Sequence, residues 1–315
     1  MAEPTATVMI ATKNRRDDLR RAVLSCLAQT IVPEIIVLDD GSTDDTADMV
    51  RREFPSVRFY RDEISRSATV QRNRGVKLAT GAIVFSIDDD AEFVSPHTVA
   101  QTLAEFASPS IGVVAIPLVN VKTSDAVLQR APSRDGIFLL DTFWGGACAM
   151  RREVFLRAGG YREFLRQQYE EEDLAIRILD AGFFTRLGNA DPIHHYESPV
   201  RENRRRDIFG GRNKVLISWY NVPMPELLFH LPGTCIKTLM HGVRQGHGLR
   251  WAWGIAQGLA TCCTQVKVRR PVGHATFRLF RRLRKSPATP LERVQGEFHW
   301  PTPAASNADS GGAKR

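Results

Sequence analysis

The chain has 315 residues, 43% of them hydrophobic and 25% charged. These are the proportions of a soluble globular protein; they exclude a low-complexity or fibrous chain and suit one large domain with an extension. The net charge of +8 is uneven: residues 201–315 hold 20 Lys+Arg against 6 Asp+Glu, so a basic tail follows an acidic front.

In chain order, residues 7–11 form a short apolar strand. Asn14 is placed to cap a helix whose Leu19, Val23, Cys26 and Leu27 recur at helical spacing. Residues 34–38 read as a second buried strand, ending in the turn DDGSTDDT, after which Met49, Val50 and Phe54 mark another helix. A strand over 57–60, a helix over 68–79 closed by Gly81, and strands over 82–87 and 111–116 follow. Ser95-Pro96 is suited to open the helix between the last two. Strands alternating with helices predict an α/β fold, with a mostly parallel, Rossmann-like sheet flanked by helices. Ligands of such sheets bind beyond the carboxyl ends of the strands, and the acids collect there.

Residues 121–145 read as a loop-rich connection, and WGGACAMRREVF as a strand running into a short helix. YEEEDLAIRILDAGF is a helix with Leu174, Ala175, Ile178 and Leu179 on one face and Gly182 as its stop. The pattern predicts a domain over 1–220, a basic, mainly helical C-terminal extension over 221–300, and a disordered tail over 301–315. The longest uncharged run of the extension, 251–266, has 16 residues, short of the roughly 20 apolar residues of a spanning helix.

Two acidic strings carry chemistry. In DDGSTDD, a carboxylate just past a strand can accept the imide N–H of a uracil or thymine ring, and the turn leads into a helix N-terminus that favours negative charge. In FSIDDDAEF, three adjacent acids end a buried strand. Alternate residues of an extended segment share a side, so Asp88 and Asp90 face one site and Asp89 the other. Hard carboxylate oxygens suit Mg²⁺ or Mn²⁺, which take one or two carboxylates together with phosphate oxygens. Taken singly, each string is also compatible with a solvated acidic loop or turn.

In combination they are more specific. The DDGS turn, the pair Arg72-Asn73 before the fourth strand, the D-x-D at its end, WGGACAMRREVF with Gly159-Gly160-Tyr161, and EEEDLAIRILDAG, in this order, resemble the family 2 glycosyltransferases of the GT-A fold over roughly residues 5–220. The resemblance implies an inverting transferase that uses a nucleotide sugar and a divalent cation. It implies that Asp39, or Asp40 beside it, meets the base. Thr12, Arg15 and Asp89 would lie near the nucleotide, Arg72 near the diphosphate, Asp88 near the ribose, and Asp90 on the metal. Gly145 and Gly146 would admit the donor sugar or diphosphate. The acidic helix would supply the general base: Glu171, with Glu172 close behind and Glu170 next. Glu stands here where relatives commonly carry Asp. In DPIHHYESPVRENRRRDIFGGRNK, either His194 or His195 would complete the metal site, because neighbouring strand positions face opposite ways. Arg201, Arg204, Arg205, Arg206 and Arg212 are candidates for the leaving diphosphate, although most of a basic helix ordinarily faces water. Asn213 after Arg212 resembles a pair found downstream of the His in relatives.

The expected partners are a nucleoside-diphosphate sugar and a saccharide or lipid-linked saccharide acceptor. The basic clusters near Trp251, Trp253 and Phe277 suit contact with an anionic membrane. A nucleotide-binding regulator with a nucleic-acid-binding tail is the competing class, but no helix-turn-helix, zinc or aromatic RNA-binding signature is present, so no nucleic acid is expected. A nucleotidyltransferase would want a glycine-rich phosphate loop near the N-terminus, where ATVMIATKNRRDD has none. Five cysteines without a C-x-x-C pair and an N-terminus without the order of a signal peptide point to the cytoplasm, at the inner face of the membrane if the tail docks there.

Overall fold

The computed structural model describes residues 5–197, 203–264 and 269–296; Arg201 and the tail over 301–315 lie outside the described residues. Four strands form one parallel block of a nine-stranded sheet: β1 (Ala6–Thr12), β2 (Glu34–Asp39), β3 (Arg58–Arg61) and β4 (Ile83–Asp88), in the order β4-β1-β2-β3. Between them run α1 (Arg16–Leu27), α2 (Thr46–Glu53) and α3 (Ala68–Leu78). β1, β2 and β4 are apolar on both faces because both faces are covered, whereas the edge strand β3, RFYR, is only partly buried. Val8, Ile10, Phe85 and Ile87 join Leu19 and Val23 of α1 on one side. Met9, Leu38 and Val84 join Val76 of α3 on the other. Each such fully buried side chain stabilises the fold by roughly 1.5–3 kcal/mol.

Register brings the acids to one edge. Thr12 lies opposite Asp39, and Ala11 opposite Asp88. After β5 (Ala91–Phe93), α4 (Thr98–Ala104), β6 (Ile111–Ala115), β7 (Leu118–Asn120), β8 (Val127–Leu128) and β9 (Phe138–Leu140), the chain enters β10 (Ala147–Arg151) between β4 and β6, antiparallel to both. β10 is reached through an irregular connection rather than a helical crossover, so it is free to run backwards. Its first residues, next to Gly145 and Gly146, therefore meet the last residues of β4, with Ala147 opposite Ile87.

Then follow α5 (Arg152–Arg157), a short 3₁₀ turn (Glu163–Leu165), α6 (Glu170–Asp180), β11 (Phe184–Leu187) and β12 (Ile193–His195). β12 belongs to a second, four-stranded sheet, β5-β12-β7-β8, in which His195 pairs with Ala91 and Asn120. The C-terminal region is helical, as expected, and its helices begin inside the predicted 1–220 domain. α7 (Asn203–Asn221), α8 (Glu226–Arg244) and α9 (Gly248–Thr264) pack on one another, while α10 (His274–Lys285) returns to α6. β13 (Thr289–Pro290) then pairs antiparallel with β9 at the sheet edge, ahead of α11 (Glu292–Gln295). Among the described residues no helix is long and apolar enough to cross a membrane.

Two local expectations are corrected. Asn14 does not cap α1: it sits at φ 54°, and its Oδ1 accepts the N–H of Thr43, tying the first loop to the DDGS turn. α4 begins at Thr98, not at Pro96; Ser95 instead caps the preceding turn by accepting the N–H of His97.

Candidate active site

A cleft of about 910 Å³ opens at the carboxyl edge of the sheet, lined among others by Asp88, Asp89, Asp90, Gly145, Gly146, Glu170, Glu171 and His195. One wall is the end of β4. Asp88, Asp90 and His195 bring ligand atoms within 4.8 Å of one another. His195 Nε2 is 3.2 Å from Asp90 Oδ1 and 3.8 Å from Asp88 Oδ2, while Nδ1 is 2.7 Å from Asn120 Oδ1. With an amide oxygen as its partner, Nδ1 carries a proton, so a ring that is otherwise neutral would turn its Nε2 lone pair toward the carboxylates. Two carboxylates and a bare imidazole nitrogen at this range repel unless a cation lies among them or the ring takes a second proton. This donor set fits a divalent cation of the Mn²⁺ or Mg²⁺ kind.

The alternation places Asp89 away from Asp88 and Asp90, but Asp89 lines the same cleft and shares Arg15 with Asp90. It accepts hydrogen bonds from Thr12 Oγ1 and Arg15 Nη1, both at 2.8 Å, and Arg15 also reaches Asp90 at 2.9 Å. Burial pushes the Asp89 carboxyl up to about 7, against the pull of Arg15.

The facing wall is the first turn of α6, where four acids divide into two pairs. Asp173 is fully buried against Arg162, Arg177 and Asn221. Glu172 bonds to Lys214 at 2.7 Å and Arg284 at 2.8 Å. Burial alone would raise both, but these cations hold them below the ordinary carboxylate range. Glu170 and Glu171 turn into the cleft, and burial raises both; for Glu171 the neighbouring Glu170 charge adds to the effect. The Glu171 side chain is 19% exposed and that of Glu170 7%, so Glu171 is the more reachable.

Arg72 spans the walls. Its Nη2 donates to Asp88 Oδ1 at 2.8 Å, and Nη1 lies 3.6 Å from Glu171 Oε1. Gly145 and Gly146 leave room for the cleft's side chains: a Cβ on the first would displace Glu171 and Arg72, and one on the second the Asp88 carboxylate.

The glycosyl transferase family 2 model matches residues 7–160. The chain carries a family 2 glycosyltransferase domain. Succinoglycan biosynthesis protein ExoU of Rhizobium meliloti (strain 1021) is 32% identical over 108 residues, 33% of this chain and 31% of that protein. The uncharacterized glycosyltransferase YibD of Escherichia coli (strain K12) is 37% identical over 105 residues, 32% and 30% of the two chains. The match thus spans about a third of the length of these curated relatives. Mannosyltransferase PcManGT from Pyrobaculum calidifontis, solved with GDP-Man and Mn²⁺, superposes with a TM-score of 0.58 at 19% identity, covering 86% of this chain and 89% of that one. S. aureus TarS 1-349 in complex with UDP-GlcNAc gives 0.60 at 15% identity, covering 76% and 72%. At such identities the likeness speaks for the fold, which is the GT-A-type arrangement expected from the sequence.

The structure gathers Arg15, Arg72, Asp88, Asp89, Asp90, Gly145, Gly146, Glu170, Glu171 and His195 around one cleft, with Arg205 and Arg206 among its lining. Other sequence candidates lie elsewhere. His194 turns away toward the Tyr196 ring, because β12 pairs with β5 and β7 in the register that buries its neighbour. Glu172 lines a different cavity. Arg212 donates to the carbonyl of Phe164 at 2.9 Å. Thr12 is occupied with Asp89. Asp40 accepts from Ser65, the Arg66 N–H and Gln71, anchoring the segment that crosses the DDGS turn. Asp39 is fully buried, with Oδ1 on the N–H of Ser42 and Oδ2 3.6 Å from Arg61.

Sequence reasoning missed Asn120, which orients His195, and Trp144, whose ring meets the imidazole edge-on at 5.8 Å. It also missed the segment 166–169, where Arg166, Gln168 and Tyr169 all have positive φ although none is glycine. Asn213, buried on α7, holds this segment by donating to the carbonyls of Leu165, Gln167 and Gln168 at 2.7–2.9 Å. Only the Asn213 resemblance signalled it. Asn213→Ala leaves three carbonyls without that donor, which costs on the order of 2–3 kcal/mol and lowers the melting temperature by roughly 5 °C. A thermal melt followed by circular dichroism measures this directly.

Proposed function

We propose that the chain transfers a sugar, with inversion, from a nucleoside-diphosphate sugar to a hydroxyl acceptor. Asp88, Asp90 and His195 would hold Mn²⁺ or Mg²⁺, and Glu171 would act as the base. One observation carries the reading: a single cleft has a carboxylate–imidazole cluster on one wall and a raised-pKa glutamate on the other, linked by Arg72. When bound, the cation neutralises charge developing on the leaving diphosphate. The acceptor oxygen attacks the anomeric carbon from the face opposite the diphosphate, the bond from that carbon to the phosphate oxygen breaks, and the hydroxyl proton passes to Glu171. No covalent sugar–enzyme intermediate forms in such a single displacement. Gly145 and Gly146 leave the donor room against the sheet edge. Asp39 would take the base once the segment over the DDGS turn shifts.

Support comes from the relatives: one is named for succinoglycan biosynthesis, and the two solved neighbours hold GDP-Man with Mn²⁺ and UDP-GlcNAc. These names support a product in polysaccharide, cell-envelope glycan or glycolipid biosynthesis; the acceptor would be a saccharide or lipid-linked saccharide at the inner face of the cytoplasmic membrane. Residues 1–220 would carry the chemistry and the helical extension the membrane contact. A panel of nucleotide sugars, incubated with and without Mn²⁺ or Mg²⁺, tests the proposal. Metal-dependent release of nucleoside diphosphate from one donor is expected; neither turnover nor binding of any donor would sink it.

A further inference from the structure

A second cavity, of about 610 Å³, lies between α6, α7, α8 and α10. Its charges do not balance. Glu172 is neutralised by Lys214 and Arg284, and Glu226 bonds to His274 at 2.8 Å. Lys237, Arg281 and Lys285, all exposed, also line it and make no ion pair among the described residues. His230 registers the surplus. Burial, then Arg281 and Arg284, pull its pKa down to about 4.

The rim is apolar. Phe229, which lines the cavity, is 82% exposed, and Ile236 and Val243 are 60% and 63% exposed. They follow one another every seven residues and so share one face of α8, over about 21 Å of helix. Met240, on the same face, is exposed too. A soluble surface does not ordinarily leave so continuous an apolar strip beside a cluster of cations. That pairing is complementary to an anionic bilayer, whose phosphates and acyl boundary offer negative charge and hydrocarbon side by side. Because no described helix can span a membrane, α8 would lie in the surface rather than cross it.

We propose that this cavity seats the headgroup of an anionic phospholipid while the exposed face of α8 rests in the membrane surface. The assignment deepens the membrane-contact element of the function proposed above and is independent of the transfer chemistry. It also has a spatial consequence. Glu171 and Glu172 are consecutive on α6, one in the cleft and the other in this cavity, so docking would bring the α6 wall of the cleft toward the lipid surface.

Co-sedimentation of the full chain with vesicles tests it, using phosphatidylcholine alone and phosphatidylcholine mixed with phosphatidylglycerol. Binding is expected only to the mixed vesicles, weakening as salt rises. Arg281→Glu with Lys285→Glu should weaken it on the order of tenfold or more, and Phe229→Ser with Ile236→Ser should do the same. Thermal melts report whether each pair folds, and the charge-reversal pair decides alone if the serine pair does not. The proposal is overturned by equal binding to neutral vesicles, by no binding, or by folded variants that bind as before. It also fails if the protein is a dimer that Phe229→Ser with Ile236→Ser dissociates, or if inorganic phosphate stabilises it as much as mixed vesicles do. Donor turnover in vesicle-free buffer is read in parallel, so loss of the transfer reading and loss of the lipid site are told apart.

Discussion

Replacing Glu171 by Gln should leave donor binding intact and lower the rate of transfer by about 10²–10⁴, the contribution of a positioned base. The amide keeps the shape of the side chain and its place beside Arg72 but cannot take a proton. The same change should make the protein more heat-stable at neutral pH. Burial and Glu170 raise the Glu171 carboxyl, so between its unfolded and folded pKa the folded state binds more protons than the unfolded one. Stability therefore falls as pH rises through that window, and a neutral amide removes the cost. A gain of roughly 2–5 °C in melting temperature is expected. For the unmodified enzyme, the ionised form is the competent base, so the rate should rise with pH through a pKa well above the ordinary glutamate range. A pH–rate profile, and melts of both proteins at acidic and neutral pH, measure these effects. Full transfer by the Gln variant would move the base to Glu170.

Asp90→Ala should abolish the response to divalent cations. Asp90 is the carboxylate nearest His195, at 3.2 Å, and it is also paired with Arg15 at 2.9 Å. Without it, Asp88 and His195 remain as a two-ligand remnant, and Arg15 keeps only Asp89. Thermal stabilisation by Mn²⁺ with nucleoside diphosphate, several degrees in the unmodified protein, should vanish; mass action ties that stabilisation to binding of the folded state. Transfer should fall with it. A variant that still responds fully to Mn²⁺ would place the metal elsewhere.

The parallel half of the sheet was readable because its strands are short, continuous apolar runs between helices of clear period, and the acids at their ends stand out against those runs. The position of β10 was readable too, but not its reversed direction, which no local pattern encodes and which brings Gly145 and Gly146 against Asp88. The four acids of EEED were found as a group. Their division was not legible, because it depends on Lys214, Arg284, Arg162 and Asn221, remote in sequence. The choice between His194 and His195 rests on pairing register with β5 and β7, which period-two reasoning narrows to one of two but cannot settle. Gln129 also escaped notice, although its side chain bonds to the backbone of Ile116, Trp144 and Ala147 and so pins the connection that carries Trp144. A glutamine in an irregular stretch offers no pattern to read.

Two kinds of backbone surround the cleft, and they differ in how freely they can change. Asp88, Asp90, Gly145 and Gly146 sit at or beside the ends of interior strands, where any shift disturbs several pairings at once. Gln129, Thr142, Phe143, Trp144 and residues 166–169 enter the same space from loops. If the cleft holds the donor as proposed, substitutions in those loops should change which sugar is taken, while substitutions at the strand ends should remove binding of every donor.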